Sequence, residues 1–155
     1  RLSVRTVMQW QDSVNAGFSN ASSAAHEHEA ISEGDYSYHR INVADQQRAP
    51  SSFLNWMERL ISTRKQCPQL SFGKWDLIDS DKPGVLSFCC TWKEDTIVVI
   101  HNFKKHKQTV KLASDKITSR LIELFSDGEY PGITKLSSRI HLNAYGYRWF
   151  KTDNY

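Results

Sequence analysis

Val85-Leu86-Ser87-Phe88-Cys89-Cys90-Thr91-Trp92-Lys93-Glu94-Asp95-Thr96-Ile97-Val98-Val99-Ile100-His101-Asn102-Phe103 decides the fold class of this chain. Two apolar runs, 85–92 and 96–103, flank the polar turn Lys93-Glu94-Asp95. Runs of that length separated by turn residues read as paired strands. Further short runs follow the same grammar at 70–78, 109–112, 119–125, 139–142 and 147–151. Asp79-Ser80-Asp81-Lys82-Pro83-Gly84, Lys104-Lys105-His106 and Ser126-Asp127-Gly128 supply turns between them. About seven short strands with frequent turns predict an antiparallel β-sandwich with Greek-key connections. The fold class expected is mainly β.

One helix precedes the strands. Phe53, Trp56, Met57, Leu60 and Ile61 recur at the spacing of a single helical face. Pro50-Ser51-Ser52 offers a start with a serine N-cap, and Arg64 and Lys65 sit where cations favour the negative end of the helix dipole. Pro68 disfavours helical geometry at Cys67 and closes the element. Residues 1–49 show little periodicity and many small polar residues, and 20–35 is the stretch expected to be mobile. A loop excursion from a larger scaffold accounts for such a segment.

Composition sets bounds. The 155 residues, 39% hydrophobic and 24% charged, suit a globular chain with a sizeable core. A net charge of +3 does not imply nucleic acid, and no apolar run is long enough for a membrane helix. Cys67, Cys89 and Cys90 form no C-x-x-C pair, and they are expected to be reduced thiols of a cytoplasmic protein. Cys89 and Cys90 should face opposite sides of one strand, as should Trp149 and Phe150.

Several motifs in fixed order resemble the alpha-amylase superfamily, glycoside hydrolase family 13. They begin with Arg5-Thr6-Val7-Met8-Gln9-Trp10 and Asn15-Ala16-Gly17-Phe18-Ser19. Asn42-Val43, Gln46, Pro50-Ser51, Leu54-Asn55-Trp56 and Arg59-Leu60-Ile61 continue the series. Glu123-Leu124-Phe125, Tyr130-Pro131 and Tyr145-Gly146-Tyr147-Arg148-Trp149-Phe150 complete it. Within that family, Leu54-Asn55-Trp56 with Pro68 after the Arg-Lys pair is similar to the trehalose synthases, the maltose α-D-glucosyltransferases. Val7, Ala49 and Ala144 stand where the family commonly has proline, an acidic residue and proline.

The resemblance implies an organisation: 1–68 as the last loop and helix of a (β/α)8 catalytic barrel, and 69–155 as the C-terminal β-sandwich. It also implies that the family's catalytic carboxylates lie on earlier strands, so no catalytic residue is expected here and the isolated chain should be inactive. What the chain would supply is substrate contact. Arg5 matches an arginine that reaches the glucose, with Gln9 and Trp10 lining or buttressing the same mouth. The expected partner is an α-glucoside, maltose or a maltooligosaccharide, with the parent interconverting maltose and trehalose. An α-glucosidase or maltogenic amylase is the alternative parent, and a stand-alone sugar-binding sandwich using Trp75, Trp92, Tyr147 and Trp149 is the alternative from a different class.

No cofactor and no metal is expected. His26-Glu27-His28-Glu29 with His39 has metal-binding residue types but no fixed geometry, and Lys104-Lys105-His106-Lys107 reads as a solvated hairpin, not a nucleic-acid patch. An exposed Phe53, Trp56, Met57 and Leu60 face should make the isolated chain self-associate.

Overall fold

Val85–Trp92 and Asp95–Asn102 pair antiparallel across a two-residue turn, in which Lys93 takes the left-handed conformation at φ 56°. The computed structural model describes residues 5–22, 28–113, 117, 120–136 and 138–153. The chain divides into two units, 1–60 and 61–155.

The second unit is built on strands. In chain order they are β1 (Lys74–Leu77), β2 (Asp79–Ser80), β3 (Val85–Trp92), β4 (Asp95–Asn102), β5 (Gln108–Val110), β6 (Leu112–Ala113), β7 (Arg120–Ser126), β8 (Ile140–Leu142) and β9 (Tyr147–Asp153). Five of them form an antiparallel sheet in the order β1-β3-β4-β9-β7, while β2 pairs β6 and β5 pairs β8. The mainly β, antiparallel expectation therefore holds. The central strand β4 runs Ile97-Val98-Val99-Ile100 with all four side chains buried, the pattern of a strand covered on both faces.

Inward from that sheet, Cys89, Val98, Ile100, Leu121 and Phe150 join Val110, Leu112, Ile140 and Leu142 of the small ladders in one core. Residue alternation turns Cys90 and Trp149 the other way, so both adjacent pairs split across the sheet as their spacing requires. The register slips between Glu123 and Phe125, a bulge that leaves Leu124 without a partner opposite. The slip sets Phe125 opposite Trp149, edge-on to it at 5.6 Å, while Glu123, before the slip, bonds Arg148.

Two expected strands differ in detail. The run 70–78 begins as a helical turn, α3 (Gln69–Phe72), because Phe72 and Gly73 N–H groups find the Pro68 and Gln69 carbonyls before the strand starts. The run 109–112 is broken at Lys111, whose N–H donates to Asp81 instead of continuing the ladder.

The first unit holds α1 (Val43–Arg48), a helix that the aperiodic sequence did not announce. Its N-cap is Asn42, whose side-chain oxygen accepts from the Asp45 N–H at 3.0 Å while its amide donates to Tyr38 O and Asp45 Oδ2. Then comes the expected helix, α2 (Phe53–Gln66), capped by Ser52, whose hydroxyl oxygen accepts from the Asn55 N–H. Asn55 in turn donates to the Gln46, Gln47 and Ala49 carbonyls, and Arg59 to Pro50 O. The Asn55 and Arg59 of the motif are thus ties across the α1–α2 corner. None of α2's side chains is buried; Phe53 is 67% exposed and stacks on Trp56.

Candidate functional site

The strip Arg5–Gln11 carries the three residues expected to meet substrate. Arg5 and Trp10 are exposed, and Gln9 is half-buried. Thr6 to Gln9, together with Ile41, Asn42, Val43 and Gln46, line a hollow of 300 Å³. The strip and the start of α1 are joined by backbone bonds: Val43 N–H donates to Gln9 O and Ala44 N–H to Trp10 O, both at 2.9 Å. These are free N–H groups of a helix's first turn, satisfied here by the strip. Gln9 commits its side-chain amide to Ile41 O. Its observed contact is a tie to the backbone.

On its other side the strip meets a left-handed turn. Asn15, Ala16 and Gly17 have φ of 53°, 56° and 68°. The Ala16 carbonyl accepts from both Trp10 N–H at 2.9 Å and Gln11 N–H at 3.1 Å. Trp10 is therefore held through its N–H and its C=O, and the residue is 48% exposed. The chemistry on offer is a guanidinium with fixed donors and a presented aromatic face, the pairing that suits hydroxyls and the apolar face of a pyranose.

His39 bonds Asp12 at 2.6 Å, and His26 and Glu27 lie outside the described residues. Among the described residues no group of three His, Cys, Asp or Glu is arranged to hold a metal. Lys104 to Lys107 form an exposed connection between β4 and β5. Among the described residues no helix is long and apolar enough to cross a membrane. The three cysteines are buried free thiols; burial pushes Cys67 and Cys90 up, with nearby Lys151 partly opposing this at Cys67 and Cys89 adding to it at Cys90.

The second unit has two features of its own. Trp75, Leu77, Leu86, Phe88, Cys90, Val99, His101 and Trp149 line a 480 Å³ hollow on the sheet's outer side, and Trp75 and Leu77 are exposed. Burial lowers the His101 pKa, and Trp149 Nε1 points at its Nε2 at 3.4 Å, a contact that fits a neutral imidazole. At one end of β9, Arg148 is fully buried, bidentate on Glu123 at 3.0 and 2.6 Å, with its guanidinium over the Tyr130 and Phe150 rings. Tyr130 donates to Asp127 at 2.6 Å and accepts from the Asn143 N–H. Burial and the Asp127 carboxylate push the Tyr130 pKa up to about 12. For Asp127 burial pulls upward, but donors from Tyr130, Asn143 and the Tyr147 N–H outweigh it and hold the pKa below the ordinary value. The quoted motif residues Tyr130, Gly146 and Arg148 meet in this cluster, where a Cβ on Gly146 would come within 2.8 Å of the Tyr130 hydroxyl.

Residues 2–73 match the alpha amylase catalytic domain, and residues 76–149 the C-terminal domain of maltogenic amylase. The chain belongs to the alpha-amylase superfamily. It is 30% identical over 153 residues to a trehalose synthase of Pimelobacter sp., covering 96% of this chain and 27% of that protein. It is 31% identical over 112 residues to an oligo-1,6-glucosidase of Parageobacillus thermoglucosidasius, covering 72% of this chain and 19% of that one. The fold is similar to that of part of the trehalulose synthase MutB of Pseudomonas mesoacidophila MX-45, with a TM-score of 0.75 at 24% identity over 96% of this chain and 25% of the other. The chain spans about a quarter of the length of the relatives it matches.

Proposed function

We propose that these residues close the catalytic barrel of an α-glucosyl-transferring enzyme that interconverts maltose and trehalose. On this reading 1–68 ends the barrel and 69–155 is the supporting β-domain. Arg5 and Trp10 contact the α-glucoside, and Gln9 holds the strip that carries them. The chain supplies no catalytic carboxylate, so the 155 residues alone turn over no maltose. The observation that carries the reading is the likeness to a trehalose synthase along 96% of the chain.

The β-domain's part is burial. Its outer hollow is apolar and includes exposed Trp75 and Leu77, a surface suited to supporting the rest of a barrel by hydrophobic contact. The apolar face of α2, with Phe53 67% exposed and Trp56, Met57 and Leu60 half-buried, supports self-association of the chain when alone. Free thiols fit a cytoplasmic enzyme.

The test is an NMR time course of maltose with the 155-residue chain and with a polypeptide extended through a complete barrel. Trehalose from the longer protein only is the expected result. Turnover by the short chain overturns the carboxylate argument. Likeness to an oligo-1,6-glucosidase favours a second reading, α-glucoside hydrolysis, and glucose as the main product would select it.

A further inference from the structure

The strained turn beside the substrate strip has a use. Three successive residues, Asn15, Ala16 and Gly17, are left-handed, and Ala16 is fully buried with a side chain that does not favour that region. Such conformations persist only where their surroundings over-determine them, and they cluster where a group must be held. The surroundings here are specific. Ala16 N–H donates to Ser13 O, Phe18 N–H to Asn15 O, and the Asn15 amide to the carbonyls of Ser19 and Ala21 at 3.0 and 2.7 Å. Those bonds lock the turn so that a single carbonyl, Ala16 O, faces two donors, Trp10 N–H and Gln11 N–H.

An ordinary right-handed or extended Ala16 would aim that carbonyl elsewhere and release both amides. Gly17 cannot be replaced without disturbance, since a Cβ there would lie 2.5 Å from Gln11 Cγ at a φ of 68°. From α1, Ala44 N–H secures the Trp10 carbonyl. The backbone that carries half-exposed Trp10 is fixed from both sides, so contact with a ligand costs no further ordering of that backbone, one way in which binding surfaces are preorganised.

We infer that Asn15-Ala16-Gly17 is a positioning element that fixes the backbone from which Trp10 presents its ring to the face of a glucosyl ring. Trp10 makes the contact; Asn15, Ala16 and Gly17 act through it. The inference rests on the proposed α-glucoside function for the ligand, and on this chain's own geometry for the positioning.

Two measurements separate these parts. In the 155-residue chain, Gly17→Ala should speed amide hydrogen exchange at Trp10 and Gln11 by about tenfold or more while the β4 amides keep their protection. Asn15→Ala, which needs no space, should act in the same direction. Ala16→Gly, which keeps the carbonyl and suits the φ, should leave both amides within about threefold of their original rates. Unchanged exchange in the Gly17 and Asn15 variants overturns the positioning role and leaves the substrate reading standing. In the barrel-containing polypeptide, Trp10→Ala and Gly17→Ala should both raise KM for maltose severalfold with a smaller change in kcat. Faster exchange with an unchanged KM overturns that presentation, and with it the role of Trp10 in sugar binding.

Discussion

Each of the two units is stabilised internally by different physics. Residues 61–153 surround a continuous apolar core in which Phe150, Ile100 and Ile140 are wholly buried. Residues 5–60 bury little: Ala16, Ser37 and Asn42 are the buried side chains among those described, and two of the three are polar. What fixes this region is hydrogen bonding, through the Asn42 cap, the Asn55 ties, the Ala16 carbonyl and the two bonds from the start of α1. A hydrophobic core stabilises through area and tolerates approximate geometry. Hydrogen-bonded ties are directional, contribute about 1 kcal/mol each, and determine shape more than stability. The half of the chain with the candidate substrate residues is thus defined sharply but stabilised weakly.

The contrast can be broken most forcefully at Phe150. Phe150→Ala removes the largest apolar side chain of the core and should cost about 3–5 kcal/mol in urea unfolding. A loss below 1 kcal/mol would mean that the sheet is not the stabilising core described. Arg148→Met comes next, at about 3 kcal/mol, because it strands the half-buried Glu123 carboxylate. Adding Glu123→Leu should recover much of that loss, and a double-mutant cycle reads the coupling directly.

Asn42→Ala should cost about 1 kcal/mol and act locally, freeing the Asp45 amide to exchange while the β4 amides stay protected. Global unfolding by this change would erase the distinction between the units. Alkali gives a graded test of the Tyr130 cluster. The folded pKa of Tyr130 lies above its ordinary value, so its contribution is fully present below about pH 10 and is lost as pH rises toward about 12. Tyr130→Phe should flatten the stability profile across that window. Asp127 works at the other end: its lowered pKa gives stability above the ordinary carboxylate range that disappears as pH falls through the folded value. The smallest effect belongs to Phe53→Ser on the open face of α2, within about 0.5 kcal/mol. A larger loss at a concentration where the chain is monomeric would show that Phe53 packs within the chain.

Legibility in the sequence followed the same divide. Apolar or alternating runs and turn residues revealed β3, β4, β7, β8 and β9, because each strand buries one face, and β4 both, along its length. The face and cap of α2 were readable for the same reason. The helix α1 was not, since Val43-Ala44-Asp45-Gln46-Gln47-Arg48 is short, has no buried residue and carries no apolar stripe. Its one signal was Asn42 three residues before Asp45, a cap pattern that gains meaning only when the helix is seen.

In the candidate site, residue types were visible and geometry was not. Arg5, Gln9 and Trp10 stood out by motif, but nothing in their spacing reported that Gln9 would bond Ile41 O across 32 positions. Nor did it show that Ala16, a residue that avoids positive φ, would be held there. The Glu123–Arg148 pair, 25 positions apart in sequence, depended on β7 and β9 lying side by side in this register.

The sequence by itself determined which stretches bury apolar faces, where turns fall, and which family the chain belongs to, because hydrophobic periodicity and motif order are local properties of the chain. Only the tertiary structure decided which backbone groups satisfy one another across distance. Those partners, Ala16 O for Trp10, Ala44 N–H for its carbonyl and Glu123 for Arg148, are selected by three-dimensional closure, since a donor is specified by direction and proximity and not by its place in the sequence.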